Sequence, residues 1–361
     1  LMSNRGHDFF LYYNAAFTAS HLEVFTSFPH THLVATHIPN KLMNSSTVLL
    51  GRPHIDRLIR RATGSTIDFF FSPNLNITAL SPNMPHVLTI HDISYEFFPH
   101  FFSQKQRLWH KAVNPRALAR QARAIITPST HTAHDVCDYY NIDPTLIHVI
   151  PPGLATEFKT SLDKLSPNDI TRITATYNLP ARYLLFLGTI EPRKNIPTLI
   201  KAFEHYVNHY NDNENHLVIA GAPGWNSKAF YSALKTAKHT SLIHHIGYIK
   251  PEDKAALYRA ATVFIYPSLY EGFGFPILEA MAAGTPVITS IRASLAEVAG
   301  NGALYCNPRD IQNISDCLHH LLTSERLRNT LSQAGLRQSQ QFSYRTMADT
   351  WLNLAEKNFS G

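Results

Sequence analysis

Cysteine is scarce: Cys137, Cys306 and Cys317 are the only three in 361 residues, and they stand far apart. They make neither a disulfide framework nor a metal-ligand spacing. That suits a reducing compartment, and the expected location is the cytoplasm. Long apolar runs are missing too, so no segment qualifies as a membrane span. The first residues, Leu-Met-Ser-Asn-Arg-Gly-His-Asp, lack the basic-then-apolar order of a secretory leader. No pair among the 21 histidines sits in a metal-binding helical motif, and no metal is expected. Nucleic-acid-binding signatures are absent and the cations are scattered apart from one stretch, so nucleic acid is not an expected partner. There is no short-period repeat and no low-complexity tract.

What is present is ordinary in bulk. Hydrophobic residues make up 44% of the chain, a share typical of soluble globular proteins. The length exceeds one ordinary core and suits two domains. A formal charge of +6 and a pI of about 9.1 suit anionic ligands such as nucleotides or lipid phosphates. They also suit peripheral contact with an anionic membrane face, here the inner one.

Near-continuous apolar runs predict strands at Phe9–Tyr13, Leu33–Thr36, Thr47–Leu50, Asp68–Phe71, His86–Ile90, Ala124–Thr127 and His148–Ile150. Helical patterns lie between them, notably Ser103–Gln121 and Thr130–Tyr140. Pro151–Gly153 breaks the series, and a polar stretch, Lys159–Asp169, follows. A second series has strands at Tyr183–Leu187, Leu217–Ala220, Leu242–Ile246, Thr262–Tyr266, Val287–Thr289 and Ala303–Tyr305. Its helices fall near Ile196–Tyr210, Ser227–Lys238, Pro251–Ala260 and Pro276–Ala283, and the chain ends in three more. The expected fold is α/β: two doubly wound, Rossmann-like domains facing a cleft. The first is placed at 1–152 and completed by the C-terminal helix 344–361. The second, at 153–343, is the ligand-binding one.

The stretch Tyr266–Ser290 carries the densest signal. A strand runs into the loop Glu271-Gly272-Phe273-Gly274-Phe275, then into a helix opened by Pro276 and closed by Gly284. Backbone N–H groups at a positive helix end make an anion site. Glu271 and Glu279 bracket it. A carboxylate beside a diphosphate is repelled unless it accepts from hydroxyls, so the pair suggests phosphates between two hydroxylated rings. Taken alone, Glu279 reads as a helix-dipole charge and Glu271 as an exposed loop acid. Upstream, Gly188 ends a strand and Arg193 and Lys194 follow in its loop, a fork and a point charge suited to a diphosphate. A solvated charge pair explains those two cations as well when they stand alone. Gly221 begins a small-residue turn, Gly221-Ala-Pro-Gly-Trp225, where a flat ring can approach the backbone.

These motifs, with Ser294-Leu-Ala-Glu-Val-Ala-Gly300, resemble those of the retaining glycosyltransferases of family four, which have the GT-B fold. The resemblance covers nearly the whole chain. The wording Gly188-Thr-Ile-Glu-Pro-Arg-Lys-Asn195 is similar to that of bacterial polysaccharide mannosyltransferases. The resemblance implies a hexosyltransferase that needs no metal and no separate cofactor. Its donor would be a nucleoside-diphosphate sugar, GDP-mannose foremost, and its acceptor a glycan or lipid-linked sugar. Arg193 and Lys194 would hold the diphosphate, Glu271 the donor hexose and Glu279 the ribose. Gly188, Gly221 and the backbone of Gly272, Phe273, Gly274 and Phe275 would line the donor. Many relatives carry Arg after the first glycine, where this chain has Thr189. Other readings of the same architecture are a nucleotide-sugar epimerase and a non-catalytic nucleotide-sugar-binding protein.

In the first domain His91 ends a strand, and relatives place a His there against the donor sugar. Asp92 either orients it or caps the next turn. Ser129 caps the helix that follows Pro128. Aromatics at Tyr95, Phe97, Phe98, Phe101 and Phe102 precede the cations Lys105, Arg107, Lys111, Arg116, Arg120 and Arg123. The last three fall on one helical face. Aromatics beside cations suit a lipid-linked acceptor at a membrane, and equally a core beside a solvated face. Relatives carry a strand, a glycine loop and a helix ahead of the Phe9–Tyr13 strand. Their absence here implies a fragment or a first domain cut short.

Overall fold

The computed structural model describes residues 5–16 and 20–359. Residues 1–4 and the last two of the expected C-terminal helix lie outside them. All strand pairs are parallel. In the first half β1 (Phe9–Asn14) pairs with β2 (Thr31–Thr36), and a four-stranded sheet runs β3 (Phe70–Ser72), β4 (His86–Thr89), β5 (Ala124–Thr127), β6 (Ile147–Val149). The second half forms one six-stranded sheet from β7 (Tyr183–Leu187), β8 (His216–Ala220), β9 (Ile243–Gly247), β10 (Val263–Tyr266), β11 (Val287–Ser290) and β12 (Ala303–Cys306). Its order is β12-β11-β10-β7-β8-β9. The order reverses between β7 and β10, and there the crevice of a doubly wound sheet opens at the strand C-terminal ends.

The strands form because their apolar runs are covered on both faces. Every residue of β7 and β10 is buried, and the largest apolar cluster surrounds them with Leu199, Phe203, Leu257, Ile277 and Leu318. The helix Tyr344–Phe359 crosses back to the first half, where Met347, Trp351, Leu354 and Phe359 pack against Val87, Ala124, Ile126 and Ile150. Trp351 meets the edge of Phe71 at 5.0 Å and tilts on Phe69 at 6.0 Å. Between β1 and β3 lies a cavity of about 1860 Å3, lined also by Ile55, Ile126 and Trp351.

Four expectations are corrected. Thr47–Leu50 is no strand but the end of the helix Asn40–Leu50. Met43 turns inward while Leu49 and Leu50 stay exposed, and the N–H of Gly51 closes the helix on the Thr47 carbonyl. The apolar run there covers no core, which is why its composition misled. The single helix expected at Ser103–Gln121 is two, Gln104–Val113 and Pro115–Gln121, because Asn114 turns left-handed (φ 51°) and Pro115 cannot continue the ladder. Arg123 then lies past the second helix, its N–H bonded to the His86 carbonyl, so it shares no helical face with Arg116 and Arg120. The helix expected to open at Pro276 begins one residue earlier, at Phe275, capped by Gly274.

Trp351 is only partly buried, so Trp351→Ala is expected to cost about 2 kcal/mol, below the 3–5 kcal/mol of a fully buried aromatic. Urea unfolding measures this; an unchanged midpoint would show that the helix Tyr344–Phe359 does not brace the first sheet.

Candidate active site

The two loops that flank the reversal point of the second sheet carry the charged residues. The first leaves β7 at Gly188 and makes a 3-10 turn at Pro192–Lys194 before the helix Ile196–Tyr210. The second leaves β10 and runs through Tyr270 and Glu271 to the helix Phe275–Ala282. Side chains 78 residues apart thereby meet: Arg193 Nη1 donates to Glu271 Oε2 at 2.6 Å. Lys194 Nζ donates to Glu271 Oε1 at 2.7 Å and to the Tyr266 hydroxyl at 2.5 Å. Glu191 takes the other side of the fork, accepting from Arg193 Nη2 at 2.8 Å and Nε at 3.2 Å. Glu191, Lys194 and Glu271 are all buried.

Glu271 is therefore no exposed loop acid. Burial pushes its carboxyl up, but the charges of Arg193 and then Lys194 outweigh burial and hold it below its ordinary value. Burial lowers Lys194, and the charge of Glu271 together with Tyr266 and Glu191 more than reverses that, so the ammonium is raised. Two cations and two carboxylates thus sit in one desolvated cluster. The guanidinium already donates to Glu191, Glu271 and the Tyr270 carbonyl, yet one Nη2 hydrogen and one Nζ hydrogen remain beyond these bonds. The cations are fixed in place by the acids and keep a donor each for an anion.

Around this cluster the backbone is fitted closely. Gly221 (φ +148°) lies against Gly188, where an added Cβ would stand 1.9 Å from the Gly188 carbonyl oxygen. Gly274 and Phe275 form the helix end, with Phe273 buried against Phe342 and Phe275 exposed. Ser294 ties the loop down from below, donating to the carbonyls of Glu271 and Phe273 at 2.8 Å each. Glu279, one turn into the helix, is held by Lys254 and by the Tyr258 hydroxyl at 2.9 Å.

The first domain closes on the same loop. A Cβ on Gly272 would lie 1.9 Å from the His91 carbonyl oxygen, so only glycine allows this approach. The Gly272 carbonyl accepts from Ser129 at 2.8 Å and from Thr132 at 3.2 Å. Ser129 also caps its helix at Thr132, and Asp92 caps Ser94 instead of orienting His91. His91 Nε2 lies 3.0 Å from the Pro73 carbonyl. Glu297 caps the same helix across the cleft, accepting from the N–H groups of Thr130 and His131. The hydroxyl of Tyr270 bonds Asp135. Glu191, Tyr266, Tyr270 and Glu297 were not singled out in the sequence. Only the position of Glu191, two residues before the paired cations, offered a signal.

Two family models match the chain: Glycosyltransferase Family 4 over residues 1–158 and Glycosyl transferases group 1 over residues 171–338. The chain is 31% identical over 278 residues to an O-antigen chain mannosyltransferase B of Escherichia coli, covering 75% of this chain and 71% of that one. It is 32% identical over 238 residues to a serotype-specific mannosyltransferase WbdA of the same species, covering 65% of this chain but only 29% of that longer protein. Among solved structures, Anabaena Alr3699/HepE in complex with UDP and glucose superposes with a TM-score of 0.70 at 17% identity, over 96% of this chain and 91% of that one. That likeness is one of fold.

Glu271 contributes stability above the unfolded carboxylate value, about 4.3, and loses it as pH falls through its lower folded value. Lys194 contributes below about 10.4 and loses it as pH rises through its higher folded value. Glu271→Gln is expected to cost on the order of 3 kcal/mol at neutral pH and to flatten the acid limb. Urea unfolding from pH 3 to 8 measures both, and an acid limb identical to the wild type would remove Glu271 from the account.

Proposed function

The chain belongs to the family-four glycosyltransferases with the GT-B fold, and from that premise we propose that it is a retaining, metal-independent mannosyltransferase. Its donor is GDP-mannose and its acceptor a glycan or lipid-linked sugar. The observation that carries this reading is the pairing of partly buried Arg193 and buried Lys194 with buried Glu271 at the sheet's reversal point. Two fixed cations with donors to spare, beside a helix N-terminus, suit a departing diphosphate. The mannosyltransferase names of the relatives favour mannose.

In this reading the C1–O bond to the diphosphate breaks while the acceptor oxygen bonds C1 on the same face. The hydroxyl proton passes to the leaving phosphate oxygen, and nucleoside diphosphate and glycoside result. Glu271 takes no part as base or nucleophile: it is an ion-paired anion held below its ordinary value. It fixes the cations that stabilise the leaving group. Glu279, now held by Lys254 and Tyr258, exchanges such a partner for ribose hydroxyls. His91 lies at the junction, facing the donor sugar.

The acceptor reading draws on the helix Gln104–Val113. Leu108 and Trp109 are exposed beside Lys105, Arg107 and Lys111. No helix among the described residues is long and apolar enough to cross a membrane, so contact with the cytoplasmic face would be peripheral.

Lys194→Ala is expected to lower turnover of GDP-mannose about a hundredfold or more, about 3 kcal/mol of barrier, with the fold retained by circular dichroism. Proton NMR of the wild-type product with a mannoside acceptor is expected to show the donor's α configuration. Near-normal turnover of the variant would remove Lys194 from the site, and a β product would overturn retention.

A further inference from the structure

A pocket of about 390 Å3 lies beside the charged cluster, at the small end of ligand sites. Arg193 lines it together with His91 and Asp92 at the β4 end, but no residue of the 266–290 stretch does. Its remaining walls are largely aromatic and come from both domains. Tyr95 and His110 stack at 4.0 Å. Phe102 of the first domain and Trp225 of the second stack across the cleft at 5.9 Å. Phe102 also meets His110 edge-on at 5.7 Å. Nearby, Asn226 Nδ2 donates to the Phe101 carbonyl at 3.1 Å, tying the Trp225 turn to the first domain. Among the described residues, Trp225 Nε1 and His110 Nδ1 are buried with no hydrogen-bond partner. Burial lowers His110, with Asp92 opposing, so the ring is neutral and can accept or donate.

Flat apolar faces with a guanidinium and a carboxylate at the edge suit a ring with one C–H face and a rim of hydroxyls. A pyranose has that form. A nucleobase would also stack, but a ribose and a phosphate separate it from the diphosphate, whereas this pocket shares Arg193 itself. The donor hexose belongs with the 271–275 loop, which the pocket does not touch; of that sugar's proposed partners only His91, at the junction of the two, also lines the pocket. We propose that this pocket receives the terminal pyranose of the acceptor, with Trp225 and Trp109 as its specificity-determining residues. The assignment rests on the transferase reading above. Trp225 reaches the pocket from the donor domain, so the acceptor subsite is complete only when the two domains meet. Trp109 stands at its rim, 40% exposed, on the helix whose outer face carries Leu108 and the cations, where a lipid-linked sugar would enter.

Saturation-transfer NMR tests this on the full chain with saturating GDP. The probes are the methyl pyranosides of α-mannose, α-glucose and N-acetyl-α-glucosamine. Calorimetry with GDP alone is run in parallel. At least one pyranoside is expected to bind the wild type. Trp225→Ala is expected to weaken it tenfold or more, and Trp109→Ala, at an exposed position that does not threaten folding, at least threefold. Trp225→Phe, which keeps a ring and removes the N–H, is expected to fall between. GDP affinity should stay within twofold throughout. The assignment is overturned if no pyranoside binds, if binding ignores both tryptophans, or if pyranoside and GDP weaken together, which would make the pocket part of the donor site. A wild type that fails to bind GDP would overturn the transferase reading as well, and the calorimetry shows that separately.

Discussion

Everything at this site depends on Glu271 holding two cations that are largely shielded from water, Lys194 buried and Arg193 partly so. An unpaired guanidinium and ammonium at that depth would cost several kcal/mol each. With Glu191 and Glu271 beside them, the cations stay charged and rigid, and only one hydrogen on each is left over. Rigidity is the gain. Donors already in position need no reorganisation when charge develops on a leaving phosphate, and the low local polarity strengthens their pull. Glu271 therefore works as a clamp on the cations.

That clamp is coupled to the way the domains meet. The residue after Glu271 is Gly272, pressed so closely to the His91 carbonyl that no side chain fits, and its own carbonyl is held by Ser129 and Thr132. Tyr270 on one side bonds Asp135, and Glu297 caps the helix that begins at Thr130. The 270–275 loop is thus the surface on which the first domain rests. In the proposed transferase, positioning a sugar at this loop and bringing the domains together would be one event, the kind of arrangement in which binding energy is used for orientation.

Much of this was legible in the chain. Continuous apolar runs marked β7, β8 and β10, the first two running into a glycine, and the proline and glycine around Phe275–Ala282 marked that helix to within a residue. Arg193, Lys194, Glu271 and Glu279 stood out by type and spacing. What spacing could not show was who faces whom. Glu271 and Arg193 are 78 residues apart, and only the parallel pairing of β10 with β7 brings their loops together. Tyr270 and Glu297 were invisible for the same reason, since each acts on a partner from the other domain, whereas Glu191 sits two residues before the Arg193 it pairs with. Thr47–Leu50 misled for a different reason: its apolar residues cover nothing, so hydrophobicity no longer reported burial.

A crystal structure of the protein with GDP bound decides whether the paired cations hold the diphosphate. The diphosphate is expected within hydrogen-bond distance of Arg193 Nη2 and Lys194 Nζ and over the N-terminus of the helix Phe275–Ala282, with the ribose hydroxyls on Glu279 and the Arg193–Glu271 pair intact. A diphosphate bound elsewhere, or one that displaces Glu271 from both cations, would contradict the account.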